Sequence, residues 1–389
     1  MSQYFDYNAT TPLDKQVAQE ISEHLFSFGN PSSTHHFGKM AKEKMDHARK
    51  QAADLIGASS TNIFFTSGGT EGNNMILKGW LQSFSASPGH IITSCIEHPS
   101  ILNVCNYFEE NGFEVTYLPV NELGYVEPKH VELAIQENTQ LISIMSANNE
   151  IGTIQAISEI SSIANQRDIF FHTDAVQAIG KFPLDVKELN VHALTFSAHK
   201  FNGPKGIGAV YLKNPSDIFP LIIGGGQEQE LRNGTENMIG IIGLGKACEV
   251  TKNELEWQRE HCQILKQSLI EKLKEIPDCF VNGDVDSQRT LPNTLNIRLN
   301  NIRGEAIAAI LNEQYRIAVS LGSACSATKK NLSHVLLSIG LNEDEIRSSI
   351  RISFGKYTTE EDIHFFVNAL TNTVSNLRRF LPTEVQGVN

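Results

Sequence analysis

Cysteine is scarce and scattered in this 389-residue chain: there are six, with no C-x-x-C pair. That excludes a zinc knuckle and a disulfide scaffold, and no metal site is expected. Long apolar runs are missing too, since no window reaches the roughly 18 residues a membrane span requires. The first residues, "MSQYFDYNATTP", lack the basic and apolar regions of a signal peptide, so a cytoplasmic protein away from membranes is expected. Positive charge is short: 32 Lys and Arg stand against 44 Asp and Glu, for a formal charge of -12. Direct nucleic-acid binding, which needs clustered Lys and Arg, is not expected. Hydrophobic residues make up 40% and charged residues 20%, enough for a large core or two domains.

What is present is a repeated alternation. The runs "NIFFT", "HIITS", "QLISIMS", "DIFFHT", "ALTFSA" and "GIGAVYL" read as strands separated by helices or loops, the rhythm of an α/β protein with a mainly parallel sheet. A helix is expected from about Glu254 to Lys274. Beyond it "NTLNIRL", "RIAVSL" and "SSIRISFG" read as strands, with helices near Gly304 to Leu311 and Glu360 to Leu377, a smaller α+β lobe. The expected division is a large domain over 14–255 and a small one formed by 1–13 with 256–389, with a ligand cleft between them.

Three stretches carry chemistry. In "IFFTSGGTEGNNMILKGWL", Gly68, Gly69 and Thr70 lie between a strand and a helix. Free N–H groups there suit a phosphate, although Thr70 could equally serve as a helix cap. The P-loop and G-x-G-x-x-G patterns are both absent. In "ALTFSAHKFNGPKGIG" an apolar strand ends in Ser197, His199 and Lys200. A lysine there is either a solvated surface residue or an amine whose desolvation makes it a Schiff-base nucleophile. In "DIFFHTDAVQAIGK", Asp174 follows a strand and Gln177 follows Asp174, and such a carboxylate can pair with a pyridinium nitrogen.

Taken in order, "SGGTE", "EHPS", "NNEIGTIQ", "TDAVQAIGK", "SAHKFNGPKGIG", "RNGT" and "GSAC" resemble the cysteine desulfurases of the NifS and IscS type. These are pyridoxal 5'-phosphate (PLP) enzymes of the type I aminotransferase fold, class V. The likeness runs from "YFDYNATTPLD" to "SSIRISFGKYTTEEDI". It implies that Lys200 carries the cofactor as a Schiff base, with Ser197, His199, Gly69 and Thr70 on its phosphate. It also implies Asp174 on the pyridine nitrogen, Gln177 on the phenolic oxygen, His98 stacked on the ring for proton transfer, and Asn149 in the same site. Thr235 would reach the phosphate in the neighbouring subunit of a homodimer. Arg351 would clamp the substrate carboxylate, with Asn8 nearby.

The resemblance further implies that Cys325, in "GSACSATKK", is the nucleophile that takes sulfur from L-cysteine as a persulfide. L-alanine would leave, and the sulfur would pass to an acceptor protein of iron–sulfur cluster assembly or a thiolation pathway. The small residues around Cys325 suit a mobile delivery loop, and Lys329, Lys330 and His334 are candidate cations for its thiolate. The loop departs from the usual pattern at Leu321 and in "KKNLSH". The rival readings are a selenocysteine lyase or another class V enzyme, and a non-catalytic sulfur carrier or PLP-binding adaptor. The other five cysteines read as small core or surface residues, including Cys95 and Cys105 of "CIEHPSILNVC".

Overall fold

The computed structural model of the protein describes residues 3–83, 88–321 and 332–379. Its centre is a seven-stranded sheet in the order Ile63–Thr66, Gly208–Leu212, Ala193–Ser197, Phe170–Asp174, Thr139–Ser143, His90–Ser94 and Glu114–Leu118. Gly208–Leu212 runs against both of its neighbours, and the other paired strands are parallel. The mainly parallel sheet expected from the alternation is therefore present. Its central strands are buried along their whole length, because helices cover both faces, and this is why they appear as unbroken apolar runs. Glu114–Leu118 was not foreseen. An edge strand is paired on one side only and needs no continuous apolar run, and "EVTYL" has none.

A second, antiparallel sheet places Thr294–Leu299 between Cys279–Asn282 and Ser349–Ser353. Its core gathers Leu295, Ile297, Ile350 and Ile352 with Phe366 and Leu370 of the helix Glu360–Arg378, and also Phe5 from the N-terminal segment. The segment "RIAVSL" forms less strand than expected. Only Ile317–Ala318 pairs, with Gln3–Tyr4, and Ser320 then bridges to Arg351.

The helix expected from Glu254 begins much earlier, spanning Met238–Leu273. Its first half packs Ile241, Leu244 and Ala247 into the core of the large sheet, and its second half packs Leu265, Leu269 and Leu273 against the small one. "MIGIIGLGKA" hid the helix because it is apolar on every side and rich in glycine, so it shows neither amphipathic spacing nor good helix propensity. Close packing explains the glycine at 245, where a Cβ would fall 2.6 Å from the Ala48 Cα.

The N-terminal segment then crosses between the two sheets. Tyr7 N–H donates to the Ser353 carbonyl at 3.2 Å, and Thr11 N–H donates to the His199 carbonyl at 2.9 Å. This stitching brings residues 7–11 over the C-terminal ends of the parallel strands, where open α/β sheets hold their ligands.

One strand carries a stability consequence. His172 is fully buried between Ser143 Oγ (2.9 Å) and Thr195 Oγ1 (3.1 Å), and burial pushes its imidazole from 6.5 down to about 3. Between those values the unfolded chain binds a proton on this ring and the folded chain does not. Stability is therefore lost as pH falls below about 6.5, by about 1.4 kcal/mol per pH unit for this group. Denaturant melts at pH 7, 6 and 5 are expected to show this slope, and His172→Asn to flatten it by one proton. An equal slope in the variant would mean that the folded ring is charged.

Candidate active site

A cavity of about 350 Å³ opens where the parallel strands end. Asn8, Gly69, Thr70, His98, Asn149, Asp174, Gln177, Ser197, His199, Lys200 and Arg351 all line it, so residues from seven separate stretches of the sequence converge there. Other residues singled out from the sequence are not among them. Thr235 is exposed outside the cavity, and Cys325 lies outside the described residues, as do Lys329 and Lys330. His334 does line the cavity, and its Nε2 lies 2.9 Å from the Glu97 carbonyl, to which it donates.

Lys200 follows the strand Ala193–Ser197, and its Nζ donates to the carbonyls of Asn8 (2.6 Å) and Ala9 (2.9 Å). It is thus a half-buried amine drawn into the site by the N-terminal segment, not a solvated surface lysine. Beside it, burial and the cations of Lys200 and Lys205 hold the His199 ring down at about 4, so it is neutral at pH 7.

The turn after Ile63–Thr66 is built for close approach. A Cβ on Gly208 would fall 2.8 Å from the Gly68 Cα, so the neighbouring strand leaves room for the turn. Thr70 is the second residue of the helix Gly69–Ser83 and is exposed, which is not where an N-cap residue sits. The helix start instead leaves its N–H groups available beside Ser197 and His199. Both oxygens of the buried Asp174 accept, Oδ1 from Val176 N–H at 2.9 Å and Oδ2 from Asn73 Nδ2 of that same helix at 2.7 Å. Gln177 donates to the Asn8 carbonyl at 3.0 Å, while its Oε1 is buried without a partner.

His98 caps the helix Pro99–Glu110 through Nδ1, with proline at the first helical position. The cap occupies Nδ1, and Nε2 is the other nitrogen of the ring. Burial lowers its pKa, the Asp174 charge opposes this, and Lys200 and His334 reinforce it.

Arg351 is 3% exposed. It donates to Asp6 Oδ1 at 2.6 Å and to the Asn149 carbonyl at 3.1 Å, and its Nε is buried without a partner. Asn8 is almost saturated, donating to Thr294 Oγ1 at 2.8 Å and to the Asn149 carbonyl at 3.1 Å.

Two residues near or in the cavity, Lys181 and Glu97, escaped the sequence reading. Lys181 is buried and donates weakly to Asn8 Oδ1 at 3.4 Å, and burial pushes its amine down to about 7. Glu97 is fully buried with Oε1 held by Ser94 Oγ (2.6 Å) and Met145 N–H (2.9 Å), and burial pushes its carboxyl up to about 8. Both lie inside quoted motifs, "TDAVQAIGK" and "EHPS", and their only signal was a charge next to an apolar run. Cys105 is fully buried and burial pushes its thiol up to about 12, so it stays protonated.

The profile of the aminotransferase class V family matches residues 3–366. The cysteine desulfurase IscS of Dictyoglomus turgidum is 46% identical over 381 residues, covering 97% of this chain and 96% of that protein. Among solved structures, a NifS-like protein superposes with a TM-score of 0.90 at 38% identity, over 97% of this chain and all of that one. A structure of SspA in complex with cysteine superposes with a TM-score of 0.81 at 38% identity, over 92% of this chain and 100% of that one.

Proposed function

The chain belongs to the aminotransferase class V family and within it to the cysteine desulfurases, and from that premise we propose the residues that carry the reaction and the fate of the sulfur. The observation that carries the proposal is the convergence of the Lys200 amine, the Asp174 carboxylate, the His98 ring and the buried Arg351 guanidinium on one cavity.

The same cavity supports pyridoxal 5'-phosphate as the cofactor. Its volume of about 350 Å³ suits a small ligand. The N–H groups at the start of Gly69–Ser83, with Thr70, Ser197 and His199, would hold the phosphate. Asp174 would hold the pyridine nitrogen, and Gln177, with a buried oxygen awaiting a partner, would face the ring's polar edge. When bound, the cofactor supplies an electron sink for charge developing at the amino acid's Cα.

The chain's own residues do the rest. Arg351 binds the carboxylate of L-cysteine, with Asn8 and Asn149 lining the same pocket. Lys200 Nζ removes the Cα proton, and His98 Nε2 is the ring nitrogen free to relay protons in the cavity. The Cys325 thiolate attacks the substrate sulfur: an S–S bond forms, the Cβ–S bond breaks, its electron pair is protonated at Cβ, and Cα regains a proton as the carbon skeleton leaves as L-alanine. The enzyme retains a persulfide, which passes to an acceptor protein of iron–sulfur cluster assembly or a thiolation pathway. Thr235 serves the site of a second copy in a homodimer. Its exposure outside its own cavity supports this, as do exposed apolar side chains such as Phe26, Phe28 and Ile223, which are poorly placed in water. No helix of the described residues is long and apolar enough to cross a membrane, and a cytoplasmic location accords with that.

The test is alanine and sulfide release from L-cysteine by the purified protein, with Arg351→Ala alongside. The variant is expected to keep the cofactor's visible colour and to raise the KM for L-cysteine on the order of a hundredfold, the size of losing one partner of a buried charge pair. A KM that stays put would remove Arg351 from substrate binding.

A further inference from the structure

Asn73 is completely buried on the helix Gly69–Ser83, about one turn beyond Gly69. Its Nδ2 donates to Asp174 Oδ2 at 2.7 Å and to Ser100 Oγ at 2.9 Å, which uses both amide hydrogens. The amide cannot be turned round. Its Oδ1 would then face a carboxylate oxygen at hydrogen-bond distance with no hydrogen between them. Asp174 therefore sets the orientation of Asn73.

Donor and acceptor roles follow along the chain of contacts. Ser100 Oγ accepts from Asn73, so its own hydrogen is available for His98 Nδ1, 2.8 Å away. The Ser100 backbone N–H, which can only donate, points to the same Nδ1 at 3.1 Å. A ring nitrogen that accepts carries no proton, so the neutral imidazole carries its proton on Nε2.

We infer that Asn73 is a positioning residue: together with Ser100 it links the Asp174 carboxylate to His98 and holds that ring in the tautomer with its proton on Nε2. The consequence is chemical. Protonating Nδ1 would require Ser100 Oγ to turn from donor to acceptor while Asn73 still donates to it, and would also break the helix cap. The doubly protonated ring is thereby disfavoured. Burial, Lys200 and His334 act in the same direction, and Asp174 acts against them. Glu97, the neighbour in sequence, and Glu150, His199 and Arg351 are further titratable or charged groups that line the same cavity. The inference deepens the proposed function, because it gives the proton-relaying ring a defined hydrogen position.

The experiment is a pH titration of the His98 ring by nitrogen NMR in the histidine-labelled holoenzyme, with the signal assigned by His98→Gln. Asn73→Ala and Ser100→Ala are each expected to raise the His98 midpoint by about one pH unit, the size of one lost hydrogen bond. Ser100→Thr, which keeps the hydroxyl, is expected to restore the original midpoint. The kcat for alanine formation is expected to fall about tenfold in the alanine variants, with the KM for L-cysteine within about twofold. A midpoint unmoved in both folded alanine variants, judged by circular dichroism, overturns the inference. A midpoint that moves without any change in kcat upholds it and instead removes His98 from the catalytic reading.

Discussion

Replacing Lys200 with alanine is expected to lower alanine formation from L-cysteine by about 10⁴-fold or more, and to abolish the visible absorption of bound cofactor. Two contributions are lost together: the covalent anchor and the base for the Cα proton, a role worth roughly 10² to 10⁴ by itself. The position of the amine supports both tasks. It sits at a strand end in the same cavity as Asp174 and donates to two neutral carbonyls. Lys200→Arg keeps the cation while removing the nucleophile, and it should be equally inactive. Should either variant keep the absorption band and turn over L-cysteine, Lys200 is not the anchor.

Cys325→Ala is expected to produce a different loss. Alanine and sulfide formation should fall by at least about a hundredfold, while the cofactor colour and its spectral response to L-cysteine persist. The reason is a division of labour. In the proposed reaction residues of the cavity wall bind the amino acid and move its Cα proton, and among the described residues that line the cavity none carries a thiol. Among the described cysteines, Cys105, Cys248 and Cys262 are buried, and burial pushes each thiol up, away from thiolate chemistry. The comparison also separates the rival readings. A transaminating enzyme has no use for this thiol, and a sulfur carrier without catalysis would show no spectral response. Undiminished alanine release from the variant would sink the persulfide step.

The two experiments probe parts of the protein that were unequally legible in the sequence. "TDAVQ" and "SAHK" could be placed at strand ends because a fully buried parallel strand leaves an apolar run that stops abruptly at polar residues. Asp174 and Ser197 are the last residues of such strands. The helix Met238–Leu273 shows the opposite case. Its first half is buried on every side, so periodicity marked only the half that meets solvent. Thr70 shows how a local alternative is resolved: whether it caps a helix depends on where the helix begins, and Thr70 lies within the helix, not before it.

By itself the sequence determined the mainly parallel α/β class, the glycine-rich turn between a strand and a helix, and the residue types of the proposed cofactor site, since each depends on contacts within a few positions of the chain. Only the tertiary structure decided which groups meet. Asn8 receives the Lys200 amine from 192 positions away and donates to Thr294, 286 positions away. Arg351 pairs with Asp6 across 345 positions, and Asn73 reaches Asp174 across 101. A buried polar group must find a partner, but spacing carries no mark of which one. The order in which strands join the sheet, and the path of residues 7–11 across their ends, make that choice.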